Sequence, residues 1–173
     1  RTRIGQRNFS KALEINTIAE KIASENMGRM SPAYGNCCFL HGRVSYSTGD
    51  YAEAEKWLLD SKSIRETVLG KDHPDYAASL NSLASLSMEM GNYEKAEWLF
   101  LDSKTIREKA LGKEHPDYAA SLHNLGFLYR NTGEFEKSES LNLEAKAIRE
   151  KVLGKKHPDY AKSLNNLAIL YSD

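Results

Sequence analysis

The chain has 173 residues, 24 basic against 24 acidic side chains, and 40% apolar residues. That is long enough for one domain with a sizeable core, and the composition is that of an ordered chain. A formal net charge of zero leaves no positive excess for phosphates or an anionic bilayer, which argues against nucleic acid as the main partner and against membrane attachment.

Taken from the amino terminus, the chain divides at a fixed step of 42 residues. His-Pro-Asp-Tyr recurs at His73–Tyr76, His115–Tyr118 and His157–Tyr160, and Leu69-Gly70 recurs as Leu111-Gly112 and Leu153-Gly154. One step back, Gly28 and Pro32 mark a diverged unit ahead of the clear ones. A self-similar period of this length signals a repeat array. The expected layout is one domain over 1–173, with a partial unit at 1–31, repeats at 32–73, 74–115 and 116–157, and a partial unit at 158–173.

The partial first unit supplies a helix over 8–27. Helices at 32–47 and 50–69 follow, with Asp50 and Glu53 placed for a capping box and Trp57 in the core column of Leu99 and Leu141. The next helix, 74–90, opens on Pro74, whose fixed φ suits a first turn. Its residues Tyr76, Leu80, Leu83, Ala84 and Ser87 share one face. Gly91 supplies a left-handed stop, and Asn92 is positioned to cap the helix at 92–111. That helix carries Tyr93, Ala96, Leu99, Ser103, Ile106 and Ala110 inward, and small Ala54 and Ala96 allow close approach. Helices at 116–132 and 134–153 repeat the pattern. A last helix from 158 offers Leu164, Leu167, Ala168 and Tyr171 as an apolar side for another repeat to cover. Strand signals are missing throughout. The expected fold is therefore an all-α, right-handed α-solenoid of antiparallel helix pairs, about eight helices, since no single pair can bury its own apolar face.

The pattern Leu122-x-x-Leu125-Gly126-x-x-Tyr129, Gly133-x-Phe135-x-x-Ser138 and Ala145 resembles the tetratricopeptide repeat (TPR). The 42-residue length, with Ile-Arg-Glu-Lys and Leu-Gly-Lys between units, is similar to the variant found in kinesin light chains. It also resembles bacterial signalling arrays, including those joined to CHAT-type proteases. Two positions depart from the pattern: Ser138 stands where Ala is usual, and Asn142 where Leu58 and Phe100 stand in the other units.

The resemblance implies a scaffold that binds a protein or peptide on its concave face, lined by the first helix of each pair. By register those positions are Asn36, Phe39, Arg43 and Tyr46; then Asn81, Ser85, Met88 and Glu89; then His123, Phe127, Arg130 and Asn131; and finally Asn165, Ile169 and Ser172. Asn81 and Asn165 match the family asparagine that hydrogen-bonds a ligand backbone. The Lys and Asn clamp of chaperone-binding relatives is not found at these positions, so chaperone-tail binding is not expected. The alternative is a regulatory or self-assembly arm of a larger signalling protein, self-associating through exposed terminal repeat faces.

No enzyme is expected. Cys37 and Cys38 could place a nucleophile one turn from His41, but no oxyanion donor or orienting acid accompanies them. His-Pro-Asp reads as turn and first-turn chemistry, and histidines one repeat apart are too distant to share a metal. No cofactor or metal site follows. The run Glu144, Lys146, Arg149, Glu150 and Lys151 reads as a solvated helix face, and Trp98 as an exposed surface aromatic. No secretory leader is visible in the sequence and no apolar run approaches a membrane span. With two adjacent cysteines offering no disulfide framework, a reducing, cytoplasmic setting is expected. The absent initiating Met suggests a piece of a longer array.

Overall fold

The computed structural model describes residues 3–172, and side chains from Phe9 onward. Among the described residues there are eight α-helices and no strand: α1 (Arg3–Asn26), α2 (Pro32–Thr48), α3 (Tyr51–Leu69), α4 (Pro74–Glu89), α5 (Tyr93–Leu111), α6 (Pro116–Asn131), α7 (Phe135–Leu153) and α8 (Pro158–Leu170). These match the expected spans closely, except that α1 begins at Arg3 instead of 8. Gly5 lowers helix propensity there by about 1 kcal/mol without stopping the helix.

Two compact units divide at Leu86 and Ser87. In the first, α2 pairs with α3, and α1 packs against α2 less extensively. Ala23, Tyr34, Cys37, Cys38 and Ile64 form its core, with Ala33, Trp57 and Val68 against them. In the second, α6 pairs with α7, while α5 packs on α6 and α8 on α7. Tyr118, Ala119, Leu122 and Ala145 make that core, with Leu141 and Ile148 beside them. Each fully buried Leu contributes about 1.5–3 kcal/mol.

Close approach inside a pair is set by glycine. A Cβ on Gly42 would lie 2.6 Å from Leu58 Cγ, and one on Gly126 would lie 2.5 Å from Asn142 Nδ2. The turns depend on glycine for another reason. Gly28, Gly49, Gly70, Gly91, Gly112, Gly133 and Gly154 all have φ between +78° and +89°, at a step of half a repeat. Gly49 (ψ 9°) is an ordinary left-handed stop, whereas Gly70 (ψ 163°) occupies a region closed to side-chain-bearing residues.

Capping differs in part from expectation. Asp50 accepts from the Glu53 N–H at 3.2 Å, but the Glu53 carboxylate turns to Trp57 Nε1 at 2.6 Å, so the capping box is only half formed. Asn92 makes no side-chain cap bond. His73, His115 and His157 do cap: each Nδ1 accepts from the backbone N–H of the Asp two residues on, at 3.1 Å. Ser31 performs this role for α2, accepting from Tyr34 N–H.

Three further expectations are corrected. Arg149 is 4% exposed and not part of a solvated face, because its guanidinium is spent inside the array. Its Nη1 donates to the Asp159 carbonyl (3.2 Å) and to Ser163 Oγ (2.8 Å). Arg65 makes the same pair of bonds to Asp75 and Ser79, and Arg107 to Asp117 and Ser121. Tyr93 and Ala110, in the terminal turns of α5, are exposed while Ala96, Leu99, Ser103 and Ile106 are buried. Leu167 is buried, since it continues the column of Leu83 and Leu125; Leu164, Ala168 and Tyr171 remain exposed.

Replacing Gly70 by Asn should lower the urea midpoint clearly more than Gly49→Asn, although a Cβ at Gly70 would meet nothing within 4 Å, because of the two conformations Asn tolerates only the left-handed one at Gly49. Arg107→Lys should cost about 2–3 kcal/mol in the same assay, because the shorter lysine side chain does not carry its nitrogen to the point from which Nη1 meets both acceptors. Equal midpoints in either comparison would contradict these assignments.

Candidate functional site

On α2 the expected binding positions Asn36, Phe39, Arg43 and Tyr46 follow a three-four-three spacing along one open face. The intervening Cys37, Cys38, His41, Gly42 and Ser45 are buried. Phe39 has charge close by: the Arg65 guanidinium lies 4.2 Å from its ring centroid and that of Arg43 lies 5.7 Å away. Asn36 Oδ1 accepts from Arg65 Nη2 at 2.9 Å, so part of this amide is already held by the scaffold. Tyr46 sits against Tyr51, ring centroids 6.0 Å apart. On α4, Asn81 and Ser85 are half-buried, and the Ser85 hydroxyl donates to the Asn81 carbonyl one turn back.

In the second unit, Arg130 lies 5.0 Å over the Phe127 ring, a second arginine–phenylalanine pair on a first helix. Asn131 is exposed and its amide reaches Met88 Sδ at 3.9 Å. Asn165 and Ile169 are exposed on α8, as is Ser172 just beyond it.

His123 is more committed than its register suggests. Its Nδ1 accepts from Arg149 Nη1 (3.4 Å), a group that can only donate, and lies 3.1 Å from the Asn166 amide. Burial, helped by the Arg149 and Lys162 charges, pulls its pKa down to about 4. Asn166 also approaches Asn142 Oδ1 at 3.4 Å; Asn142 donates to the Ser138 carbonyl, and Ser138 Oγ to that of Gly126 at 2.7 Å. A polar network thus fills the column that is apolar at Leu58 and Phe100. The departures Ser138 and Asn142 signalled it in the sequence; Asn166, on a neighbouring helix, gave no signal of its own.

The chemical candidates are poorly placed for chemistry. Burial raises the pKa of both thiols, that of Cys38 to about 12, whereas a nucleophilic cysteine needs a lowered one. His41 stacks on Trp57 at 4.6 Å, lies 3.5 Å from Glu20, and is lowered by desolvation. No three His, Cys, Asp or Glu side chains gather for a metal among the described residues. Trp98 is 64% exposed on α5, one turn before Leu101. Leu101, Leu125, Tyr129 and Leu141 line a cavity of about 450 Å³ that sequence reasoning did not foresee, since it is built from three different helices.

These helix pairs, with glycine half-turns and open first-helix faces, define a repeat scaffold. Tetratricopeptide repeat matches cover residues 33–97, 78–141 and 122–173, and the chain belongs to that family. Two structures of a Podosopora anserina protein described as a kinesin light chain with nearly identical TPR-like repeats are similar. Each is 27% identical and covers 98% of this chain; they cover 81% and 82% of their own chains, with TM-scores of 0.75 and 0.73. BtubC (BKLC) from P. vanneervenii shares the fold at 22% identity and a TM-score of 0.73, over 99% of this chain and 67% of its own. No curated protein matches the chain. The fold is the TPR-like α-solenoid of kinesin-light-chain type, and no helix among the described residues is long and apolar enough to cross a membrane.

Because folding depresses the His123 pKa, the unfolded chain binds a proton between about pH 6.5 and 4 that the folded chain refuses. Stability should therefore fall on acidification through this window. His123→Asn, the residue at this register in α4 and α8, should reduce the loss by up to about 3 kcal/mol, read as a flatter plot of unfolding free energy against pH.

Proposed function

We propose that this chain is a non-catalytic protein-interaction scaffold that holds an extended peptide or partner helix on the open faces of its first helices. The observation that carries the reading is the arginine–phenylalanine pair on α2 and again on α6. On the first helices Tyr34, Tyr76, Tyr118, Tyr129 and Tyr160 are buried, whereas Phe39 and Phe127 lie partly open beside a guanidinium. Such a pair accepts an apolar side chain against the ring and a carboxylate at the guanidinium, so a peptide combining acidic and apolar residues is the expected guest. Asn81 and Asn165 supply amides that both donate and accept, as an extended backbone requires. Membership of the TPR family supports protein binding in general. A cytoplasmic setting agrees with two buried, unbridged cysteines.

Peptides selected from a random displayed library on the wild-type chain should bind the triple variant Arg43→Ala, Asn81→Ala, Arg130→Ala at least about tenfold more weakly, a loss of ~1.4 kcal/mol or more. Circular dichroism and melting temperature should be unchanged. Undiminished binding by the folded variant would move the site off these helices.

A further inference from the structure

The cavity between α5, α6 and α7 shares no lining residue with the arginine–phenylalanine faces. Its walls are apolar. Leu125, 1% exposed, lies deepest, Tyr129 and Leu141 stand beside it, and Leu101, 41% exposed, lies at the mouth. The Tyr129 wall is held in place, because its hydroxyl donates to Glu97 on α5 at 2.6 Å. Room exists here because α7 carries the small Ser140 at the register where α3 has Lys56 and α5 has Trp98. The volume of about 450 Å³ is that of a site for one small molecule.

Two ammonium groups and one carboxylate line the rim: Lys104 on α5, and Lys137 and Glu136 on α7. Lys104 lies 3.6 Å from Glu108, and Lys137 is paired with Glu134. Both pairs are open to water, where such contacts are worth little and exchange readily. Neither carboxylate would be stranded if its lysine turned to a ligand. Glu108 keeps Lys113 at 3.3 Å, and Glu134 keeps the Thr132 hydroxyl at 3.1 Å. The Lys137 ammonium already stands 4.9 Å from the centroid of the Tyr129 ring, a wall of the cavity.

We propose that this cavity binds a free aromatic monoanion, its rings among Leu101, Leu125 and Leu141 and its negative group taken by Lys104 and Lys137. Rings leaving water for these leucines supply the affinity, and the few charged groups at the rim set the orientation. Glu136 limits the charge: against two ammonium groups and one carboxylate a single negative group is balanced, and a second would be repelled. The lining covers one turn of α5, from Leu101 to Lys104, and residues 136–141 of α7. That length suits a compact ring system and is too short for a partner helix of several turns.

The fluorescent monoanion anilinonaphthalene sulfonate tests this. It should saturate at one dye per chain with a Kd of roughly tens of micromolar. Naphthoate should displace it, and naphthamide, with the same rings and no charge, should do so about threefold more weakly or worse. Ser140→Trp should abolish dye binding with circular dichroism unchanged, since α5 carries Trp98 at that register. Lys137→Gln should weaken the dye about threefold and Glu136→Gln should tighten it about threefold. The triple variant Arg43→Ala, Asn81→Ala, Arg130→Ala should bind it as the wild type does. Dye that fails to saturate at one per chain, survives Ser140→Trp in a folded chain, ignores both charge substitutions or is lost in the triple variant would overturn the proposal. So would displacement by N-acetyltryptophanamide as strong as that by naphthoate, which would give the cavity to a protein side chain.

Discussion

Near the end of α3, α5 and α7 a guanidinium is buried, and it ties each of these helices to the one that follows. Arg65, Arg107 and Arg149 reach across the loop to bind the first turn of the next helix, through the carbonyl of an Asp and the hydroxyl of a Ser. Burying such a charge is costly unless its donors are met. Here the cost is offset at two acceptors, although the Nε of Arg65 and of Arg107 finds none. Apolar burial drives helix pairs together but is indifferent to direction. The arginine Nη1, bonded to two acceptors on the next helix, supplies that direction and fixes where that helix begins relative to the last.

Around this staple the glycines at half-repeat intervals act as hinges of two kinds. One kind ends a first helix with an ordinary left-handed residue; the other ends a second helix in a conformation that only glycine adopts comfortably. Alternating the two lets a chain of nearly equal helices turn back at every step. The His-Pro-Asp segments then restart the chain, with imidazole nitrogen meeting the orphan N–H and proline occupying the turn that needs none.

The third repeat shows how this frame is modified locally. Ser138 and Asn142 replace apolar groups with a network that reaches His123 through Asn166 and Arg149. Such a network holds its members in place when every one is satisfied. It gives the His123 face a fixed shape, whereas the arginine–phenylalanine pairs on α2 and α6 sit closer to solvent.

The spacing of glycine, proline and alanine by itself determined the helices, their order and their pairing, because each of those residues acts through its own backbone or its own small size. The same local logic placed the His-Pro-Asp segments at helix starts, while the imidazole caps themselves emerged only in the structure. Tertiary structure alone decided the fate of longer side chains. Arg149 looked like a member of a charged face and is buried, since its acceptors lie ten and fourteen residues away. Asn36 looked open and is partly held by Arg65, while Glu53 left its expected cap for Trp57. A long polar side chain chooses among partners brought near by folding, and periodicity along the chain does not rank them.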